Sequence, residues 1–208
     1  MIDRLAYASC YAFSPRGVSE IANRSRILRT RIKLAERESL RLAAARVRQF
    51  YDAGLFREFF GGDVVLVPAP ASSPLAPGAV SRTALICDAL VAVGLAASVS
   101  ELVLRTTAIR KSAFAAPGTR PNAAEHFETL AVNRASLPET PLVVVDDVVT
   151  RGATLLAIAS RLAEAFPKIS VRAFALVRTE STAAIERIQD PLEGFIALRA
   201  NGETVRRP

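Results

Sequence analysis

The chain has few of the residues that metal sites, disulfide frameworks and histidine-based catalysis require. It contains two cysteines, Cys10 and Cys87, and one histidine, His126, in 208 residues. Two cysteines form neither a disulfide framework nor a four-cysteine zinc site. A single histidine argues against His-rich metal sites and a Ser-His-Asp triad. Tryptophan is absent and aromatic residues are 6% of the chain, so Ala, Val, Leu and Ile must build the core, as in α/β proteins.

Long apolar runs are also missing. No window approaches eighteen uncharged apolar residues, and residues 1–5 lack the apolar stretch of a secretory signal. Half of the residues are apolar and 23% are charged, a balance typical of globular proteins. The length suits one α/β domain with a modest appendage. We therefore expect a cytoplasmic protein without a membrane partner.

The positive charge is concentrated at one end. Residues 1–50 contain 11 Lys and Arg against 4 Asp and Glu, whereas residues 51–208 contain 16 of each, so the whole net charge of +7 lies in the N-terminal quarter. Residues 16–48 form a basic arm that can bind nucleic acid, an acidic partner or ligand phosphates. The alternative is a solvated helix face with extended arginine side chains. Both interpretations stay open.

Strands and helices alternate along the chain. An apolar stripe of Leu40, Ala44, Val47 and Tyr51 predicts helix from about residue 20 to 56. Strands are predicted at 64–67, 101–104, 142–145 and 171–177, helices at 81–95 and 152–165, a long polar loop at 106–125, and a hairpin with an Asn-Gly turn at 195–205. This order predicts an α/β fold: a largely parallel sheet with helices on both faces, an N-terminal helical arm at 1–60 and a C-terminal hairpin.

The segment with the clearest chemistry is 142–155 (LVVVDDVVTRGATL). Four apolar residues predict a buried strand, and Asp146 and Asp147 follow at the sheet edge where α/β proteins bind ligands. The next turn, residues 150–154, opens a helix whose N–H groups and positive dipole end favour anions. Thr150, Arg151 and Thr154 add donors, and Gly152 lets the backbone approach a ligand closely. Carboxylates suit sugar hydroxyls or waters around Mg²⁺, so the segment predicts a ribose 5-phosphate site.

A purely structural interpretation of this segment is an acid pair after a strand and an ordinary helix cap. It does not explain why strand, acid pair and anion-binding turn occur together over fourteen residues. The dinucleotide-binding G-x-G-x-x-G loop after a strand and the G-x-x-x-x-G-K-[ST] loop of ATP-binding proteins are both absent from the sequence.

The run from Asp146 to Thr154 resembles the phosphoribosyl-pyrophosphate (PRPP) fingerprint of type I phosphoribosyltransferases. The resemblance implies that Asp146 and Asp147 hold the ribose hydroxyls, directly or through Mg²⁺, and that residues 150–154 hold the 5-phosphate. It also implies that residues 61–208 form the phosphoribosyltransferase domain and that its hood comes from the N-terminal arm, residues 1–60, or from the C-terminal hairpin. Arg151 stands where the family often has Thr or Ser, which keeps a donor and adds charge.

A weaker resemblance over about residues 62–178 is to the ComF/GntX-like branch of this family. Residues 67–70 (VPAP) resemble its strand ending in Pro-x-Pro, which implies a pyrophosphate loop formed by Ala69, Pro70, Ala71 and Ser72. Residues 105–107, 110–112 and 120–122, followed by Phe127, resemble its basic region. The cysteine-rich zinc module of the branch is absent, and residues 78–82 (GAVSR) replace its Arg-Gly-Phe-Asn-Gln-type segment.

Departure of pyrophosphate from the anomeric carbon needs positive charge more than a nucleophile. Arg105 directly follows a predicted strand and is the strongest candidate to supply it. The weaker candidates, for which surface solvation is the alternative, are Arg82, Arg110, Lys111 and Arg120. For His126, packing or solvent exposure is the simpler interpretation, and Cys87 is expected to be buried and inert.

The function predicted from these features is a Mg²⁺-dependent phosphoribosyltransferase that transfers the phosphoribosyl group of PRPP to a nucleobase or amine, with Asp146, Asp147 and Arg105 in catalytic positions. The alternative is a non-catalytic PRPP or nucleotide sensor, or a ComF-like protein acting with nucleic acid through residues 16–48. Partners other than PRPP or a ribose 5-phosphate nucleotide are nucleic acid and a second copy of the chain in a homodimer. The acceptor itself is not readable from the sequence.

Overall fold

The computed structural model describes residues 1–76, 78–110, 121–133, 140–180 and 184–208. The strands are β1 (Arg4–Phe13), β2 (Val65–Pro68), β3 (Ser98–Val99), β4 (Val103–Arg105), β5 (Leu130–Val132), β6 (Leu142–Val149), β7 (Val171–Thr179), β8 (Gln189–Leu198) and β9 (Thr204–Arg207). The helices are α1 (Glu20–Lys33), α2 (Arg37–Asp52), α3 (Arg82–Ala92), α4 (Ala123–Glu128) and α5 (Ala153–Ala165).

One sheet organises these elements. Its seven strands in the described residues follow the order β3-β2-β6-β7-β1-β8-β9. The first five run parallel, and β8 and β9 add an antiparallel hairpin at the β1 side. The predicted largely parallel sheet is therefore confirmed. The strand predicted at 101–104 lies elsewhere, because β4 pairs only with β5 in a separate two-stranded sheet.

Each face of the sheet is covered by helices, as predicted. Successive side chains of a strand point to opposite faces, so Val143 and Val145 pack with α1, α2 and α3, whereas Leu142 and Val144 pack with α5 and the β4–β5 hairpin. All four of these residues are fully buried. A strand buried on both faces needs a continuous apolar run rather than alternation, which is the pattern that made β6 recognisable.

Residues 4–13 correct the prediction that 1–60 is a helical arm. They form β1, which lies between β7 and β8, with Tyr7 opposite Ala173 on one side and Gly194 on the other. Elements on both sides of residue 60 thus share one sheet. The segment (RLAYASCYAF) contains three alanines, which are depleted in strands, and its central place in the sheet depends on partners far along the chain.

The basic arm, residues 16–48, is largely helical, as predicted, but it forms two helices, α1 and α2. Ala35 has a φ of +52° and separates α1 from α2. On α2 the residues Leu40, Ala44 and Val47 are buried in the core, which confirms the predicted stripe. The C-terminal hairpin and its turn at Gly202, with φ +80°, are also confirmed.

Two further expectations concern the cysteines and membranes. Cys10 and Cys87 are free and fully buried, and burial raises the pKa of both thiols. Across the described ranges, no helix has the length and apolar character needed to cross a membrane.

Candidate functional site

The site lies where β2 and β6 end their pairing. β2 stops at Pro68, opposite Val145, so the pairing of β6 with β2 ends before Asp146 and Asp147. On the other side β6 continues along β7, with Asp146 opposite Ala175. The carboxyl ends of parallel strands form the edge at which α/β sheets bind ligands. The two carboxylates therefore lie at the expected edge.

Two adjoining cavities open at this edge. The larger cleft has a volume of about 440 Å³, and its lining includes Asp146, Asp147, Thr154, Arg105 and all four residues of the loop 69–72. The smaller cavity, of about 110 Å³, is lined by residues 148–155 and contains the whole turn 150–154. His126, Asp146 and Thr154 line both. The structure thus brings together the acid pair, the turn 150–154, the loop 69–72 and Arg105.

The acid pair is electrostatically unusual. Burial and the neighbouring Asp147 carboxylate together raise the pKa of Asp146 to about 7. The backbone N–H of Asp147 donates to Asp146 Oδ1 at 2.8 Å, and Lys33 Nζ lies 3.4 Å from Asp147 Oδ2. Two close carboxylates resist joint ionisation unless a cation or hydroxyl donors join them. The pair is arranged to receive such groups.

We call residues 150–154 the anion cup. Gly152 has φ +91° and stands at the N-terminus of α5, and the first helical hydrogen bond runs from Leu156 N–H to Gly152 O at 2.9 Å. The N–H groups of Ala153, Thr154 and Leu155 precede that bond, and such groups attract anions at a helix start. The cup therefore presents the N-terminus of α5 to the smaller cavity.

The C-terminal hairpin supports the anion cup. Arg206 of β9 donates from Nε to Thr150 O and from Nη1 to Tyr7 Oη at 3.1 Å. Arg151 forms an ion pair with Glu203 at 3.2 Å. The Arg151 side chain is 58% exposed. Its charge is therefore partly neutralised by the hairpin.

The loop after β2, residues 69–72, is held by bonds to its carbonyl groups. Thr83 Oγ1 donates to Ala69 O at 2.6 Å, Arg105 Nε to Ala71 O at 3.1 Å, and Ile109 N–H to Ser72 O at 2.8 Å. In a trans peptide the N–H points away from the preceding carbonyl. The N–H groups of Ser72 and the residue after it are therefore turned away from these protein contacts.

Arg105 has a supporting role among the protein's own residues. Besides the contact with Ala71, its Nη1 donates to Thr129 Oγ1 and, at 3.5 Å, to His126 O. The side chain lies within the lining of the larger cleft, but the residue is only 6% exposed. Arg105 thus joins the loop 69–72 to α4, and its role in binding pyrophosphate stays a prediction.

His126 is a site residue that sequence reasoning did not select. Its Nε2 lies 3.3 Å from Thr154 Oγ1, and its buried Nδ1 has no partner within the described part of the chain. Burial, followed by the charge of Arg105, lowers the pKa of His126 to about 4. A capping box between Asn122 and Glu125 fixes the start of α4, but no local pattern connects α4 with α5.

Other cations of the cleft come from distant segments. Arg29 and Lys33 of α1 line it, and so do Arg82 and Arg110, which the sequence indicated as weaker candidates. The two remaining weak candidates, Lys111 and Arg120, lie outside the described residues. The spacing of the basic segment gave no indication that α1 faces the acid pair.

Asp146 and His126 should affect the pH dependence of stability in opposite directions. The pKa of Asp146 rises on folding from 3.8 to about 7, so stability contributed by its neutral form is lost as pH rises through this range. The pKa of His126 falls on folding from 6.5 to about 4, so stability is lost as pH falls through that range.

Single substitutions should separate the two effects. The stability of Asp146→Asn relative to the wild type is expected to increase as pH rises from about 4 to 7. The stability of His126→Asn relative to the wild type is expected to increase as pH falls from about 6.5 to 4. Denaturant unfolding measures both, and proton NMR of the single histidine gives its pKa directly. Parallel pH profiles for the two variants, or a histidine titrating near 6.5, would contradict this assignment.

Comparisons with known proteins give structural neighbours alone. No family model and no curated protein matches the chain. Among solved structures, the chain is similar to adenine phosphoribosyltransferase from Saccharomyces cerevisiae, with 16% identity, 66% of this chain and 68% of that chain covered, and a TM-score of 0.37. It is also similar to hypoxanthine phosphoribosyltransferase from Trypanosoma cruzi, with 14% identity, 85% and 92% covered, and a TM-score of 0.37.

Proposed function

We propose that the chain binds PRPP and transfers its phosphoribosyl group to an acceptor nitrogen, with release of pyrophosphate. The observation that carries this proposal is the junction of the two cavities. The anion cup and the acid pair meet at Asp146 and Thr154, which line both. A phosphate site and a diol-binding carboxylate pair at this junction match the two ends of a ribose 5-phosphate.

The remaining parts of PRPP have matching surroundings. The pyrophosphate would lie along residues 69–72, where backbone N–H groups and the Ser72 hydroxyl can donate to it, with Arg82 and Arg110 in the same cleft. The larger cleft, at about 440 Å³, is within the size range of small-molecule sites.

The acid pair also fits a magnesium ion. Mg²⁺ prefers oxygen ligands and is commonly bound by one or two carboxylates together with substrate phosphates. Asp146 and Asp147 supply such carboxylates, and a third His, Cys, Asp or Glu does not join them among the described residues. When bound, Mg²⁺ would supply positive charge to the leaving diphosphate.

The protein's own residues would act on the ribose. The bond between the anomeric carbon and pyrophosphate breaks as a bond to the acceptor nitrogen forms, and the ring gains oxocarbenium character. Ionised Asp146 and Asp147 would hold the ribose hydroxyls and stabilise that positive charge. The anion cup would fix the other end of the sugar, so that the anomeric carbon is oriented for displacement.

We expect PRPP to bind with a stoichiometry of one and to require Mg²⁺. Isothermal titration calorimetry measures this, and a pyrophosphate-release assay over nucleobases and amines then tests transfer. Ribose 5-phosphate should compete for the site, whereas ribose without the phosphate should not, because it lacks the group that the anion cup binds. Failure of PRPP to bind in the presence of Mg²⁺ would overturn the proposal.

The alternative in which residues 16–48 bind nucleic acid stays a prediction. Several arginines of this segment have protein partners, such as Arg41 with Glu38 and Arg48 with Asp52, and Arg29 and Lys33 line the larger cleft. The position of Arg29 and Lys33 in the cleft favours a contribution of this segment to the ligand site. Retention of duplex or single-stranded DNA at low salt remains the test of the alternative.

A further inference from the structure

Two cations of α1 form a separate group in the larger cleft. Arg29 and Lys33, which we call the α1 cation pair, are four residues apart and therefore lie on the same side of the helix. Both line the cleft, and Lys33 Nζ is 3.4 Å from Asp147 Oδ2. Arg82 Nη1 donates to Lys33 O at 3.0 Å and so anchors this end of α1 beside the site.

Arg29 differs from other arginines of the basic segment. Arg24 and Arg31 form ion pairs with nearby glutamates. Arg29, by contrast, lies over the Phe13 ring at 5.5 Å, and its buried Nε has no acceptor within the described ranges. Such a donor is unfavourable unless a ligand supplies the acceptor. A guanidinium is well suited to bind a carboxylate or phosphate with two hydrogen bonds.

The α1 cation pair and the anion cup lie on different sides of the acid pair, and this position limits which anionic group can reach the α1 cation pair. Asp146 lines both cavities, whereas Asp147 lines only the larger cleft and contacts Lys33. The acid pair therefore connects the cup to the α1 cation pair. A ribose on the acid pair, with its 5-phosphate in the cup, directs its anomeric carbon into the larger cleft, where the acceptor must arrive.

We propose that the α1 cation pair binds an acidic group of the acceptor, which is then a nucleobase or amine carrying a carboxylate or phosphate. This inference rests on the proposed function and specifies its second substrate. The acceptor's uncharged nitrogen supplies the electron pair for the new bond to the anomeric carbon. The electrons of the broken carbon–oxygen bond leave with pyrophosphate, and the nitrogen releases its proton to water.

Matched acceptor pairs test the inference. Uracil is compared with 6-carboxyuracil, and aniline with 2-aminobenzoate, by pyrophosphate release from Mg²⁺ and PRPP. We expect turnover to favour the acidic member of a pair. In Arg29→Gln, the KM for that acceptor should rise about tenfold or more, as expected for loss of a charge-assisted hydrogen bond, while PRPP affinity measured by calorimetry stays unchanged. Arg29→Lys should restore part of the loss.

Arg24→Gln is the matched control, because Arg24 lies on the same helix but its side chain is 69% exposed and outside the cleft. It should leave both substrates unaffected. If PRPP binds but turnover does not favour the acidic members, or no member is turned over, this inference is wrong. The proposed function is not affected by that result. Weaker PRPP binding in Arg29→Gln also overturns the inference, since the cations would then serve pyrophosphate. Absence of PRPP binding to the wild type removes the proposed function as well.

Discussion

Replacement of both Asp146 and Asp147 by Asn is expected to weaken the binding of Mg²⁺ and PRPP by about 100-fold or more. A charge-assisted hydrogen bond contributes about 1.5–3 kcal/mol, and about 1.4 kcal/mol corresponds to a factor of ten. The fold should remain intact, because the substitution keeps the side-chain shapes and relieves repulsion between two neighbouring carboxylates. Calorimetry measures the affinity, and thermal unfolding measures the stability.

Asp88→Asn serves as the control for the double substitution. Asp88 is exposed on α3, so its loss of charge should change neither PRPP affinity nor stability. Unchanged PRPP affinity in the double variant would show that the ribose does not bind at the acid pair. Loss of affinity accompanied by unfolding would be a stability effect, and circular dichroism distinguishes that case.

Gly152→Ala is expected to destabilise the fold by about 2–5 kcal/mol and to abolish phosphate binding. A left-handed backbone costs a non-glycine residue about 1–2 kcal/mol, and overpacking about 1–3 kcal/mol. A Cβ at this position would lie 2.5 Å from Ile196 Cδ1. The sequence predicts that a side chain would block the approach to the phosphate, and the structure adds that it would meet the buried Ile196 of β8. Urea unfolding and phosphate titration measure the two effects.

Two further variants separate backbone strain from packing. Gly202 also has a left-handed backbone, with φ +80°, but a Cβ there meets nothing within 4 Å. Gly202→Ala should therefore cost only the strain. Adding Ile196→Ala to Gly152→Ala should remove the collision and leave the strain and a cavity. Equal losses of stability for Gly152→Ala and Gly202→Ala would exclude Ile196 as the cause.

The sequence predicted the features of the site that are continuous along the chain. Residues 142–155 contain the strand, the acid pair and the anion cup in one run, and each is specified by local chemistry: apolar burial, carboxylates, a glycine and a helix start. The loop 69–72 was predictable for the same reason, because proline excludes helix after a buried strand. These segments meet because β2 and β6 are parallel neighbours.

The residues that the sequence did not indicate reach the site through tertiary packing. His126 comes from α4, and Arg29 and Lys33 come from α1, which packs on the opposite face of the sheet from α5. No spacing in the chain connects these helices with the acid pair. β1 was missed because three alanines, which are depleted in strands, and Ser9 interrupt its larger apolar residues. Its place in the sheet is set by β7 and β8.

The position of β1 has a consequence for the order of folding. Tyr7 pairs with residues 173 and 194, so β1 pairs with two strands that lie far from it along the chain. Contacts of such long sequence separation form slowly. β8 joins the sheet through β1 and carries Ile196, which packs behind Gly152. The anion cup thus gains its backing only after β8 has paired with β1, so the surroundings of Gly152 are completed by one of the most distant pairings in the sheet.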